Sequence, residues 1–128
     1  MLPRLSNVPQ LNHVVSDYLN ELQKQHFEGD IASNYADRLS LATDNSVYQQ
    51  LPQAILFPKS VADVVRITKL ANKEKYLHLT FTPRGGGTGT NGQSINNNII
   101  VDLSRHMTGI LKLNIEERWV RVQAGVVK

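Results

Sequence analysis

The sequence predicts an α+β domain: N-terminal helices, then a βαβ unit with a small parallel sheet, then a β-hairpin. Three observations carry that prediction. Leu11, Val14, Val15, Tyr18, Leu19 and Leu22 recur at i, i+3, i+4, i+7 spacing, the signature of one buried helix face. Two strand-like stretches, 54–57 and 76–82, flank a Ser-x-x-Asp helix start at Ser60 and Asp63. Leu111, Leu113 and Ile115 then alternate with polar residues before a second strand-like run at 119–124.

The elements follow in order. The first helix takes Asn7 as its N-cap, with Pro9 in its first turn and Gly29 where the chain stops and bends. Asp30 opens a weaker helical stretch over 31–41, and Thr43-Asp44-Asn45-Ser46 reads as a turn. Ala54-Ile55-Leu56-Phe57 is a continuous apolar run closed by Pro58, as a strand buried on both faces requires. The capping box opens a helix reaching about residue 73, its buried stripe read as Val61, Val64, Val65, Thr68 and Ala71. Strand, helix, strand within about thirty residues implies parallel strands and a right-handed crossover. Residues 98–103 add a third strand beside them. After a turn at 104–109 the hairpin closes through Glu116-Glu117-Arg118. The reading divides the chain into an N-terminal helical segment, 1–50, and a domain over 51–128.

Composition narrows function. With 128 residues and no cysteine, the chain holds one domain at most and excludes disulfides, a thiolate nucleophile and cysteinyl metal or iron–sulfur ligation of its own. No stretch approaches the roughly 20 apolar residues of a bilayer span, and residues 1–10 lack a signal-peptide layout, so a cytoplasmic protein is expected. Residues 1–64 hold four Lys/Arg against seven Asp/Glu, whereas residues 65–128 hold ten against four. A basic half attracts anions through its summed field. Its aromatics, Tyr76, Phe81 and Trp119, are too sparse for a nucleic-acid stacking platform.

The chemistry concentrates in residues 82–98, where Ile95 is the one substantial apolar side chain and five of the eight glycines fall between 85 and 92. Glycines let a ligand approach peptide N–H groups without an intervening Cβ, and consecutive N–H groups make an anion nest. Arg84 adds a positive charge; Thr88, Thr90 and Asn91 add hydrogen-bonding side chains. A pyrophosphate is the ligand such a set fits, and a polar loop that binds nothing is the alternative. The loop has no lysine, which excludes a Walker P-loop. Gly87-Thr88-Gly89-Thr90-Asn91-Gly92 matches GxGxxG, but 93–98 run into a strand instead of opening a helix, which argues against a Rossmann site.

Pro83-Arg84-Gly85-Gly86-Gly87-Thr88-Gly89, set between a βαβ unit and a strand, resembles the pyrophosphate loop of the vanillyl-alcohol-oxidase or PCMH-type FAD-binding domain. Tyr35-Ala36-Asp37-Arg38, Thr43-Asp44-Asn45-Ser46-Val47-Tyr48 and Pro58-Lys59-Ser60 agree in order upstream. Ile100-Val101-Asp102-Leu103-Ser104 and Val122-Gln123-Ala124-Gly125-Val126 agree downstream. Within that family the chain is most similar to the N-terminus of large FAD-linked D-2-hydroxyacid (D-2-hydroxyglutarate) dehydrogenases. The resemblance implies the first subdomain of an FAD-binding PCMH-type domain with its pyrophosphate loop at 83–92, the hairpin beginning the second subdomain.

It implies further that backbone groups of Gly85, Gly86, Gly87 and Thr88 bind the FAD diphosphate. Arg84, Gly89, Thr90 and Asn91 shape or extend the site, and Gly125 approaches the cofactor. Members with covalent flavin often carry a histidine after Arg-Gly-Gly; Gly87 stands there, so FAD is expected to be non-covalent. On this reading the chain is the N-terminal fragment of an oxidoreductase, not catalytically competent alone, with no catalytic residue of its own. Any iron–sulfur cluster belongs to an absent C-terminal part. The partners implied are FAD, a small 2-hydroxyacid substrate and an electron acceptor of unspecified identity, with no nucleic acid and no membrane span. A non-catalytic nucleotide- or nucleic-acid-binding module and an inert truncated remnant are the alternatives. His13, His26, His78 and His106 lack metal-ligand spacing, Asp102 reads as a turn cap and Trp119 as hairpin packing.

Overall fold

The computed structural model describes residues 10–127. Helix α1 spans His13–Lys24 and buries Val15, Tyr18, Leu19 and Leu22, the face the spacing marks. Its N-cap is Asn12, whose side chain accepts the Val14 N–H at 2.9 Å; Asn7 and Pro9 lie outside the described residues. The chain turns after α1 at His26, which takes φ 58°, and bends again at Gly29, as expected. Gly29 answers a second need as well: a Cβ there would stand 2.3 Å from the Phe57 carbonyl oxygen.

The expected helix over 31–41 is corrected to a short strand and a shorter helix. Strand β1, Asp30–Ala32, pairs antiparallel with β2, Ala54–Phe57, and Asn34 then caps α2, Tyr35–Ser40. Three residues are too few to display a period, so only the waiting edge of β2 specifies β1. Helix α3, Val61–Ala71, begins at Ser60, whose hydroxyl accepts the Asp63 N–H at 3.2 Å. Strands β3, Phe81–Arg84, and β4, Ile99–Asp102, complete the sheet in the order β1-β2-β4-β3, parallel from β2 onward. The βαβ pair is therefore parallel but not adjacent, because β4 lies between its strands. Tyr76, read as strand, belongs to a 3-10 turn, Glu74–Tyr76. Pro83 sits in β3, the sheet's outer strand, where a missing N–H breaks no ladder.

Both faces of the sheet are covered, which is why β2 reads as an unbroken apolar run. Ala54, Leu56, Ile99 and Val101 pack with α1 and α3, while Ile55, Phe57 and Ile100 pack with Ala32 on the other side. The α3 stripe is rotated from expectation. Ile67, Leu70 and Asp63 face inward, whereas Val61 is 67% exposed. Val64, Thr68 and Ala71 instead line an open apolar groove of about 430 Å³ with Phe81, Pro83 and Leu103. The hairpin forms as expected, β5 over Ile110–Asn114 and β6 over Trp119–Val122. No helix among the described residues is long and apolar enough to cross a membrane.

One polar cluster ties α1 to the turn after α3. Glu21 pairs with Lys73 and with Lys75, the latter at 2.7 Å, and accepts the Tyr76 hydroxyl at 2.9 Å. Hydrogen bonding to Lys73, first, and to Lys75 and Tyr76 lowers the Glu21 pKa from 4.5 to about 2. Because the folded value lies below the unfolded one, the stabilisation is complete above about pH 4.5 and is lost as pH falls toward 2. Thermal melts across that window show the wild-type midpoint falling with acid, and Glu21→Gln reduces the fall.

Candidate functional site

The carboxyl ends of β2, β4 and β3 form one edge of the parallel sheet, the edge at which open α/β sheets bind ligands. Arg84 ends β3 there, in register with Asp102 of β4. Between them, residues 85–98 leave the sheet and return. The returning limb is held firmly. Ser94, Ile95 and Asn96 are buried, and the Asn96 amide donates to Thr82 Oγ1 at 2.6 Å and to the Ile99 carbonyl at 3.1 Å. Asn98 N–H donates back to Asn96 Oδ1 at 2.8 Å. A stretch that reads as uniformly polar thus has an anchored limb, and 85–92 is its crest.

The crest brings Arg84 and residues 85–91, all eight expected binding residues, into one continuous segment. The N–H groups of residues 85–90 donate to no acceptor among the described residues; Asn91 N–H donates to Gln93 Oε1 at 3.0 Å. Thr88, Thr90 and Asn91 are exposed at the crest. Arg84 takes a different position from its neighbours. It is half-buried beneath the loop, Nη1 donates to the Ser94 carbonyl at 3.5 Å, and its guanidinium lies against Gly87. The positive charge therefore backs the crest from within. A run of N–H donors before a fixed cation is what a phosphate or pyrophosphate requires.

The five loop glycines divide by physical cause. Gly87 has φ 66°, and a Cβ there would stand 2.4 Å from Arg84 Nη2. Gly92 has φ 73° and lies on the Tyr48 ring, while a Cβ on Gly89 would strike the Gln93 side chain. Gly87 and Gly92 serve the loop's own conformation, whereas at Gly89 the exposed Gln93 side chain could move aside. Gly85 and Gly86 have no such role. A Cβ on Gly85 would meet nothing within 4 Å, and one on Gly86 only a Thr88 methyl at 3.6 Å. Bare backbone with open space in front of it fits the close approach of a diphosphate. Gly125, by contrast, is buried, with its Cβ position 1.9 Å from the Leu103 carbonyl oxygen, so packing against the 103–107 turn accounts for it.

The loop does not stand alone. Segment 43–48 packs against it: Asn45 N–H donates to the Gly87 carbonyl at 3.1 Å, and the Ser94 hydroxyl donates to Asp44 Oδ2 at 3.0 Å. Ser46, through its hydroxyl first, and then Ser94 hold the Asp44 carboxyl below its ordinary pKa. The sequence marks 43–46 as a turn and 43–48 as one of the stretches that resemble the family; nothing local indicates that this turn faces the glycine loop. Asp102, as expected, caps its turn, accepting Ser104 N–H at 2.9 Å and the Ser104 hydroxyl at 2.7 Å.

Comparison with known proteins identifies the family and the fold. The profile of the family described as FAD binding domain matches residues 52–127. The chain is 80% identical over 128 residues to D-2-hydroxyglutarate dehydrogenase of Haemophilus influenzae and 57% identical to the enzyme of that name from Escherichia coli. All of this chain is covered in both cases, but it spans only 12% and 13% of the length of those relatives. Among solved structures, alkyldihydroxyacetonephosphate synthase superposes with a TM-score of 0.74 at 20% identity, covering 97% of this chain and 26% of that one. That likeness shows that the two share a fold.

Proposed function

This chain belongs to the FAD binding domain family, and on that premise we propose that it supplies the FAD pyrophosphate loop of an oxidoreductase acting on a D-2-hydroxyacid, D-2-hydroxyglutarate. The observation that carries the loop's role is the pair Gly85 and Gly86, whose Cβ positions face open space where the fold itself would tolerate a side chain. High identity to the dehydrogenases supports the substrate class.

The N–H groups of Gly85, Gly86, Gly87 and Thr88 donate to the diphosphate, and Arg84 offsets its charge from beneath. Thr90 and Asn91 extend the donor set at the crest, while Gly89 leaves room for Gln93. When bound, FAD supplies the acceptor for the hydride leaving C2 of the hydroxyacid. The chain's part is to bind and orient, and no catalytic residue is assigned to it. The proposed division sets an N-terminal segment, 1–50, whose α1 and β1 pack onto or join the sheet, before an FAD-binding domain over 51–128. Lacking cysteine, the chain ligates no iron–sulfur cluster.

Attachment is non-covalent. Gly87 stands where covalent members place histidine, and its φ of 66° with Arg84 against it leaves no place for a side chain in this loop conformation. Flavin titration gives saturable FAD binding, and acid precipitation leaves all the flavin in the supernatant. Flavin that stays with the precipitated protein contradicts non-covalent attachment. In the whole enzyme carrying this segment, anaerobic D-2-hydroxyglutarate bleaches the bound flavin. Salt-sensitive RNA or DNA binding with no affinity for FAD would instead favour a nucleic-acid module.

A further inference from the structure

We propose that Asp44 is a positioning residue for the glycine loop, holding it before any ligand arrives in the shape that receives the FAD diphosphate; this rests on the reading of the loop as the FAD site. A loop with five glycines in eight residues has much backbone freedom to lose on binding. Affinity then depends on how much of that freedom the fold has already removed.

One short segment removes it at three places. Asn45 N–H holds the outgoing limb at the Gly87 carbonyl, 3.1 Å away. Tyr48 supports the tip, its ring 3.1 Å from the Cβ position of Gly92. Asp44 Oδ2 holds the returning limb through the Ser94 hydroxyl at 3.0 Å. Asp44 also sets the other end of its own turn, since Oδ1 accepts the Ser46 N–H at 2.9 Å, and that turn aims Asn45 at Gly87. Ser94 in turn receives Arg84 Nη1 on its carbonyl, so Asp44 acts on the cation through one intervening residue.

The residue type fits the task. A carboxylate near an anion site would repel the ligand if it pointed into the crest, but both oxygens of Asp44 are engaged by Ser46 and Ser94. Two acceptors are needed at once. Asparagine keeps the Ser46 bond on its oxygen and meets Ser94 only by donating from Nδ2 to the hydroxyl, without the charge that strengthens both bonds; alanine keeps neither.

The test compares Asp44→Ala, Asp44→Asn, Ser94→Ala and the Asp44→Ala/Ser94→Ala double variant by FAD titration, with Gly85→Val as the direct loop control. Amide hydrogen exchange of the ligand-free proteins is read alongside. Asp44→Ala and Ser94→Ala each weaken FAD by about tenfold or more, the equivalent of a lost charge-assisted hydrogen bond. The double variant is no weaker than the worse single one, because both remove the same link. Asp44→Asn recovers part of the affinity. The Asn45 and Ile95 amides exchange about tenfold faster in Asp44→Ala while those of α1 and α3 do not change. A purely structural role would lower the melting temperature without this local exchange or this coupling. If Asp44→Ala does not fold, Ser94→Ala and Asp44→Asn carry the same comparison. Wild-type FAD affinity in Gly85→Val would overturn the loop reading and this proposal together. Loss of FAD in Gly85→Val with wild-type affinity and exchange in both Asp44→Ala and Ser94→Ala would overturn the positioning role alone.

Discussion

Replacing Asp63 by alanine lowers the stability of the protein by about 1–3 kcal/mol, the range for leaving partly buried hydrogen-bond donors without their acceptor. The side chain is fully buried on α3. Oδ1 accepts the Glu28 N–H at 3.0 Å and Arg66 Nη1 at 2.9 Å, and Oδ2 accepts the Lys59 N–H at 3.0 Å. It therefore joins the approach to β1, 35 residues away, to the exit from β2 and the first turns of α3. Alanine leaves two backbone donors and a guanidinium without their acceptor, each with a desolvation cost that the small side chain does not return. Asp63→Asn keeps one acceptor and loses less. Urea denaturation of the three proteins measures the order; equal stability of Asp63→Ala and wild type would show that Glu28, Lys59 and Arg66 find other partners.

Gly85→Val weakens FAD binding by about a hundredfold or more, roughly 2.7 kcal/mol, while stability stays within about 0.5 kcal/mol of wild type. The separation of the two effects is the informative part. Gly85 is exposed, and no heavy atom lies within 4 Å of its Cβ position, so the folded protein itself accommodates a side chain there. A valine would occupy the face on which the diphosphate approaches the N–H groups. Gly87→Val behaves differently, losing loop conformation as well as FAD, because φ 66° is strained for a β-branched residue and Arg84 occupies the space. FAD titration beside thermal melting distinguishes the two glycines. Parallel losses of affinity and stability in Gly85→Val would place that glycine with the structural set.

Much of this molecule is legible one residue at a time. The α1 face, the β2 run, the Ser60 cap and the hairpin each follow from a local period or a local hydrogen bond, and each stands where expected. The capping box is legible only in half. Ser60 caps as its type predicts, but the Asp63 carboxylate turns to Lys59 and Glu28 instead of closing the box on Ser60. The eight loop residues are legible because glycine density needs no partner to be noticed. Asp44 and Ser94 are not, since 50 residues separate them and neither is unusual in its own neighbourhood.

The sequence by itself determined α1, α3, the β2 run and the hairpin, that a glycine-rich loop follows a βαβ unit, and that cysteine chemistry is excluded. Tertiary structure alone decided that β4 enters between β2 and β3, that β1 is a strand, and that α3 turns Ile67 and Leu70 inward. It also decided which glycines serve the loop and which face open space. Periodicity and capping are set by neighbours within a turn or two, so they are written in order along the chain. Strand order, helix phase and the contact of segment 43–48 with the loop depend on which distant surfaces can be buried together. That choice is made by the packed core as a whole.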